Sequence, residues 1–254
     1  MLSKEKKNAL SIIYGFCRLA DDIVDEGYED APARLAALRA EIDLVFEGRA
    51  QTELGAALQE VIKNFPMPKQ YFTDLIDGMS RDLQTPVRFA AQADLDWYIY
   101  RVASVVGLMC IEIFGYKNQQ TKEFAINLGF AVQLTNIARD IAEDGKLNRI
   151  YIPTEDLARF GVSEAEIIHP QKTEKLEALI RYELSRAQNY YDNAAKLLPK
   201  EDFASMLPAR AMGNIYKEIL KKLQQNPCPS DGKKLKLNKP AKILVLFKTW
   251  REKP

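Results

Sequence analysis

Histidine is almost missing from this chain: His169 is the only one in 254 residues. Followed by Pro170, it reads as a loop residue, which argues against histidine-based triads and histidine-rich metal centres. Cysteine is scarce as well. Cys17, Cys110 and Cys228 are too few and too scattered for a disulfide framework or a zinc site, and read as reduced core or surface thiols. No GxGxxG turn and no GxxxxGK loop ending in Ser or Thr occurs, which argues against Rossmann-type dinucleotide binding and P-loop chemistry. Neither sign of charge dominates, with Lys+Arg 36 against Asp+Glu 35, so there is no global electrostatic argument for nucleic acid as a partner. No uninterrupted apolar run is long enough to span a bilayer, and Met1 to Lys7 lacks the apolar core of a signal peptide. A cytosolic location is the expectation. Acid–base work is left to tyrosine, arginine, carboxylate or the substrate itself.

Against those absences stand two short acidic clusters, Asp21-Asp22-Ile23-Val24-Asp25 and Asp140-Ile141-Ala142-Glu143-Asp144. In each, two aspartates stand four apart, so on a helix both carboxylates leave one face about one turn apart. Like charges at that spacing repel, and beside Ile23, Val24, Ile137 and Ile141 they cost more still unless a cation holds them. A hard divalent cation with oxygen ligands answers that need. Magnesium keeps several waters and takes one or two carboxylates together with substrate phosphates. A lone DxxxD is common by chance on a solvated helix face, but here there are two. Each has an arginine close by, Arg18 three positions before Asp21 and Arg139 next to Asp140. Gln133, Asn136, Asp140 and Asp144 share one helical stripe. Flanked by Leu134, Ile137 and Ile141, that stripe suits neither open solvent nor a dry core. It reads as the polar lining of one diphosphate site built from two helices.

Helical periodicity recurs along the chain while strand alternation is nearly absent. Residues 4–25 read as one helix with Ala9, Leu10, Ile13, Phe16 and Ala20 on a face, ended by the Glu26 to Asp30 stretch. Further helices are predicted over 32–47, 51–64, 68–83, 94–115, 119–144, 172–198 and 201–225, punctuated by Gly48, Pro66, Pro68, Pro86, Gly115, Gly145 and Pro199. The 226–240 region, rich in Pro and Lys, reads as a loop before a final segment at 241–250. That segment is apolar and flanked by Lys236, Lys239, Lys242 and Lys248. The favoured reading is a terminal helix docked on the bundle with its lysines in water, and transient contact with a membrane surface is the alternative. With 47% hydrophobic residues, 1–254 can bury one large core, so the expected fold class is all-α in a single domain.

Three segments carry a family resemblance: Tyr14 through Asp25; Tyr98-Ile99-Tyr100-Arg101-Val102-Ala103-Ser104-Val105-Val106-Gly107; and Gln133 through Asp144 continuing into Asn148-Arg149-Ile150-Tyr151-Ile152-Pro153. A weaker piece is Met212 through Leu220. In order and spacing they resemble the squalene and phytoene synthases, which join two prenyl diphosphates head to head. Arg101 to Ser104 and Ile113-Phe114-Gly115 look most like the bacterial presqualene diphosphate synthases of hopanoid pathways. The resemblance implies an isoprenoid synthase helical bundle with a central active-site cavity. It implies magnesium held by Asp21, Asp25, Asn136, Asp140 and Asp144, with diphosphates bound by Arg18, Gln133, Arg139, Lys146 and Lys234. Tyr14, Tyr98, Tyr151 and Tyr216 match tyrosines that line the family's pocket. Their ring faces suit an allylic carbocation, and a hydroxyl can hydrogen-bond the departing diphosphate. Val102, Ala103, Val105, Val106, Gly107, Leu108 and Met109 fit a dry tunnel for isoprenoid tails, and fit core packing equally. Ala103 and Gly107, four apart, admit a close neighbour of either kind.

The implied substrate is farnesyl diphosphate. The implied product, presqualene diphosphate, would pass to a downstream enzyme. Two departures from the pattern stand out. The aromatic and serine-rich segment that usually precedes the first motif is expected to be lacking, and Lys234 stands where an arginine is expected, which keeps the charge but loses the bidentate fork. Other readings from the residues are a terpene cyclase or chain-elongating prenyltransferase, or a silent subunit that binds prenyl diphosphates. Chain-elongating enzymes typically show DDxxD at both sites, whereas the second motif here, Asp140 to Asp144, is DxxxD.

Overall fold

The computed structural model describes residues 2–227 and 235–254. Helix α1 (Lys4–Asp25) starts where the Ser3 hydroxyl accepts from the Lys6 N–H, and it stops at Glu26, after which Gly27 takes a φ of 70°. Its buried residues, among them Ala9, Ile13, Phe16, Ala20 and Ile23, step by three and four along one face. Helices α2 (Ala31–Phe46), α3 (Glu53–Asn64) and α4 (Lys69–Arg81) follow. Phe72 of α4 lies 5.2 Å from the ring of Phe16 and 5.6 Å from that of Phe46, which closes the core between α1, α2 and α4.

The next helical stretch runs unbroken from Gln92 to Phe114 as α5 (Gln92–Ile99), one π-helical turn at Tyr100–Ser104, and α6 (Val105–Phe114). By length and composition it could cross a membrane, although Asp94, Asp96 and Arg101 interrupt it. Half of its most apolar stretch is buried inside the bundle, where it packs on the long central helix α7 (Gln120–Lys146). Between the two, the backbones come close. A Cβ built on Gly129 of α7 would stand 2.7 Å from Ser104 Cα and 2.8 Å from Ser104 N, and one on Gly107 would stand 3.2 Å from the Ala125 carbonyl oxygen. The Ser104 hydroxyl donates to the Ile126 carbonyl at 3.0 Å. Gly107 therefore serves helix packing, one of the two uses its sequence left open.

On the other side of α7 lies α10 (Glu174–Leu197), in the most extensive helix pairing of the bundle. Short helices α8 (Thr154–Phe160) and α9 (Glu164–Ile168) bridge them, and α11 (Leu207–Gln225) and α12 (Lys239–Arg251) complete the order. The start of α7 is fixed by Asp202, whose carboxylate accepts from the Thr121 hydroxyl at 2.6 Å and from the Lys117 and Asn118 N–H groups at 2.7 and 3.0 Å. No strand occurs among the described residues, only a single parallel bridge between Val87 and Arg149.

The architecture is the all-α single bundle the periodicity indicates. The differences have local causes. The stretch 201–225 is not one helix: a 3-10 turn at Lys200–Asp202 comes first, and α11 begins only at Leu207, with Pro208 in its first turn, where the missing N–H costs nothing. Helices α8 and α9 escape periodicity because seven and five residues are too few to show it. α9 relies on a capping box in which Ser163 and Glu166 satisfy each other's backbone N–H. The final helix has the opposite orientation to the favoured reading. Its lysines are in water, but Ile243, Leu244, Leu246, Phe247 and Trp250 are exposed too, and Thr249 is its one buried residue. Cys228 lies outside the described residues; Cys17 and Cys110 are free thiols, pushed up to about 12 and about 11 chiefly by burial.

Gly129→Ala tests the close approach. Alanine favours a helix over glycine by about 1 kcal/mol, yet here its methyl would meet backbone rather than a flexible side chain. A net loss of about 1–3 kcal/mol is expected, read as a lower midpoint in urea with an unchanged slope. An unchanged or raised midpoint would show that α7 and the π-helical turn are not in contact at this point.

Candidate active site

Two cavities meet in the middle of the bundle. The first, about 310 Å³, is lined by polar groups from four helices and two connecting segments: Asp21 and Asp25 of α1, Tyr98 of α5, Gln133, Asn136, Arg139, Asp140 and Asp144 of α7, Tyr216 of α11, Asp82 after α4, and Arg149 and Tyr151 after α7. The second, about 270 Å³, is walled almost entirely by apolar groups, including Val102, Ala103, Val106 and Gly107 on one side and Leu128, Gly129 and Val132 of α7 on the other. Val102 and Gln133 border both. Of the residues expected to line a tail tunnel, Val105, Leu108 and Met109 instead turn into the core, where they are 0–2% exposed.

The two acidic clusters do face one space, and arginines stand on them. Arg18 reaches Asp21 at 3.0 Å and Asp22 at 2.6 Å. Arg149 reaches Asp25 at 2.8 Å across 124 positions of sequence. Arg139 grips Asp140 with two parallel hydrogen bonds of 2.7 Å each and lies 6.0 Å from the Tyr216 ring. Burial, with the repulsion of Asp25 one turn away, still pushes the Asp21 carboxyl above its ordinary value. Among the described residues no group of three or more His, Cys, Asp or Glu side chains is drawn together as a metal centre. The fit to a hard cation rests on the donor set instead. It is all oxygen, it comes from two facing helices, and it includes the Asn136 amide oxygen, which is buried without a hydrogen-bond partner while its NH₂ donates to Gln133 at 3.3 Å. A carbonyl-type oxygen left bare beside carboxylates is what a magnesium or calcium ion takes up. Asp21, Asp25, Asn136, Asp140 and Asp144 would hold such an ion.

Two predicted residues stand elsewhere. Tyr14 is 68% exposed and does not line the cavity. It shares the stripe of Arg18, Asp21 and Asp25, but seven residues of helix put it about 10 Å short of Asp21. Lys146 is exposed at the last position of α7. Two residues beyond Asp144, it is turned about 200° around the helix and away from the cavity. Arg18 sits at the mouth through its pairs with Asp21 and Asp22, and Lys234 lies outside the described residues.

Two site residues were not assigned from sequence. Arg149 is held in place by the chain around it: Asn148 adopts a φ of 57°, the Arg149 N–H donates to the Asp144 carbonyl at 3.0 Å, and the Ile150 N–H donates to Val87 at 3.1 Å. Arg88 pins the same turn by donating to the Asn148 backbone and side-chain oxygens at 2.7 and 2.8 Å. The other is Asp82. The hydroxyls of Tyr98 and Tyr151 donate to its two oxygens at 2.6 and 3.0 Å, and the two rings stack with centroids 5.4 Å apart. Burial raises the Asp82 carboxyl to about 6 in spite of those two donors. Burial first, and Asp82 next, push both phenols above their ordinary value, so they stay protonated. Their hydroxyls are committed to Asp82, which fixes the rings as part of the cavity wall. Nothing at helical spacing pairs with Asp82 in the sequence, so only its place at the end of α4 could have pointed to it.

A family model described as squalene/phytoene synthase matches residues 1–241. The chain belongs to that family. Its members are prenyltransferases that condense prenyl diphosphates head to head. Phytoene synthase 2, chloroplastic, of Solanum lycopersicum is 32% identical over 97% of this chain and 82% of its own length. The chain spans only 60–64% of three other plant phytoene synthases. Among solved structures, a dehydrosqualene synthase in complex with ligand superposes with a TM-score of 0.86 at 30% identity, covering 98% of this chain and 87% of that one. Squalene synthase HpnC from Alicyclobacillus acidocaldarius gives 0.77 at 29% identity, covering 86% and 83%. The isoprenoid synthase bundle expected from the motifs is thus the fold of this family member.

Asp82 gives a pH test. Its folded value lies above the ordinary 3.8, so the folded state holds a proton that the unfolded chain releases, and stability from this group falls as pH rises through that window. Asp82→Asn removes the titration. In metal-free buffer, the melting temperature of the variant minus that of the parent should grow by about 3 °C or more between about pH 4 and about pH 7. A difference that stays flat with pH would mean that Asp82 is not buried as described.

Proposed function

We propose that this family member joins two farnesyl diphosphates head to head and releases presqualene diphosphate, with magnesium as cofactor. The observation that supports it most is the junction of the two cavities. A polar chamber lined by five hard-oxygen donors and by Arg139 and Arg149, with Arg18 paired to Asp21, opens, past Val102 and Gln133, into an apolar chamber. That is the shape of a charged head attached to a hydrocarbon tail.

In this reading, Arg18, Arg139 and Arg149 exchange their carboxylate partners for diphosphate oxygens when substrate arrives, the guanidinium forks keeping two-point contacts. Magnesium, when bound, would supply the positive charge that stabilises a leaving diphosphate. Gln133 orients a diphosphate oxygen at the boundary between the chambers. The allylic C–O bond of one substrate breaks with both electrons leaving on the diphosphate. The double bond of the second substrate bonds to the cation so formed, and loss of a proton to the departing diphosphate closes the cyclopropane. The rings of Tyr98, Tyr151 and Tyr216 face the cation, and the apolar chamber keeps water from quenching it. The preference for presqualene diphosphate rests on Arg101 to Ser104 and Ile113 to Gly115. The names of the plant relatives favour a second reading, phytoene synthase. The cytosol, with a partner enzyme to take the product, remains the proposed setting.

Incubation of the purified chain with farnesyl diphosphate and magnesium, followed by mass analysis, should give a phosphorylated product that needs no nicotinamide cofactor and does not change when NADPH is added. Chelator should abolish it. Squalene, dehydrosqualene or phytoene as the main product would refute the assignment. Asp140→Asn should lower turnover roughly 10²-fold with the melting temperature nearly unchanged; full turnover at limiting magnesium would sink the two-helix site.

A further inference from the structure

Helix α12 is amphipathic in the reverse sense to a docked surface helix. Ala241, Val245 and Thr249, four apart, are the positions turned toward the bundle, and Thr249 alone is fully buried. The attachment is polar. Arg210 of α11 donates to the Thr249 carbonyl at 3.2 Å and to Glu252 at 2.6 Å, and Asn214 donates to the Thr249 hydroxyl at 2.9 Å and to Glu252 at 3.1 Å. The opposite side carries the large apolar groups: Ile243 at 66% exposure, Leu244 at 54%, Leu246 at 44%, Phe247 at 51% and Trp250 at 68%. At 100° per residue they cover about 160° of the circumference. Lys242 and Lys248 fall at the two edges of that stripe, Lys239 and Arg251 fall at its two ends, and the helix contains no acidic residue. The family match ends at residue 241, so most of this helix lies beyond it.

We propose that α12 lies in the plane of a membrane surface, with Ile243, Leu246, Phe247 and Trp250 sunk among the acyl chains and the cations on anionic headgroups. Soluble monomers rarely expose so contiguous an apolar patch. The charge pattern selects its occupant. Lysine is depleted from protein interfaces, whereas lysine stems lie along apolar surface and bring the ammonium out to the headgroup level. A second copy of this face would bring like charges together, while an anionic bilayer is complementary to it. The polar clamp of Arg210, Asn214 and Glu252 keeps the helix on the enzyme with its apolar side outward. The inference is independent of the reaction, because it concerns lipid binding by the chain without substrate.

The test is flotation with phosphatidylcholine vesicles, with and without phosphatidylglycerol, on the full chain. Anionic vesicles should raise the bound fraction about tenfold, and salt should reverse it. In a Trp97→Phe background, Trp250 emission should shift to the blue on binding. The double variant Phe247→Glu with Trp250→Glu should lose binding, and Lys242→Glu with Lys248→Glu should lose the preference for anionic lipid. Both should keep the melting temperature and basal activity of the parent, since these side chains face away from the bundle. Absence of vesicle binding, or binding that the double variant retains, would overturn the proposal. So would a concentration-dependent dimer that Phe247→Glu converts to monomer, since the face would then belong to a second copy.

Discussion

Repulsion among carboxylates governs the centre of this protein. Asp21, Asp25, Asp140 and Asp144 project from α1 and α7 into one chamber, and an enclosure of that kind is stable only if positive charge enters with it. Arg18, Arg139 and Arg149 supply that charge from three different places in the chain. Each pairs with a carboxylate rather than with an empty space. Three guanidiniums against these four carboxylates offset most of the negative charge before any ligand arrives, and a ligand that brings cation and anion together can replace the internal pairs. Complementary charge on both sides of the exchange keeps the cost of opening the ion pairs small.

The rest of the bundle can be read as support for that chamber. The Phe16, Phe46 and Phe72 cluster locks α1 against α4, and Asp202 fastens the start of α7. Asp82 gathers Tyr98 and Tyr151 from separate segments, so one buried acid orients two rings of the wall. These contacts are long-range in sequence. They explain why an aspartate with no helical companion sits where water is scarce.

How much was legible beforehand follows from the same geometry. Gln133, Asn136, Asp140 and Asp144 could be placed together because a helix repeats every 3.6 residues, and the structure puts all four on one wall. Arg149 lay within a matching segment but owes its aim to the Asn148 turn and the bridge to Val87, which no periodicity encodes. Tyr14 and Lys146 were grouped with the site by the family resemblance, while rise along α1 and rotation around α7 carry them away from it. In α12 the apolar stripe was evident and its direction was not, because a seam of Ala241, Val245 and Thr249 is too plain to advertise which side is bound.

The π-helical turn at Tyr100–Ser104 bears on the alignment of the two chambers. Residues four apart drift by about 40° per step on a regular α-helix, so Tyr98 and Cys110 would differ by about 120° in direction. A wider turn of about 4.4 residues takes back most of that drift over five positions. Tyr98, Val102, Val106 and Cys110 thereby form a nearly straight rail, and they border the polar chamber at one end and the apolar chamber at the other. The irregular turn acts as a phase correction. Were one residue removed from it, the upstream half of the helix could still present Tyr98 to Asp82, but Val106 and Cys110 would rotate off the path that a hydrocarbon chain follows from its charged end.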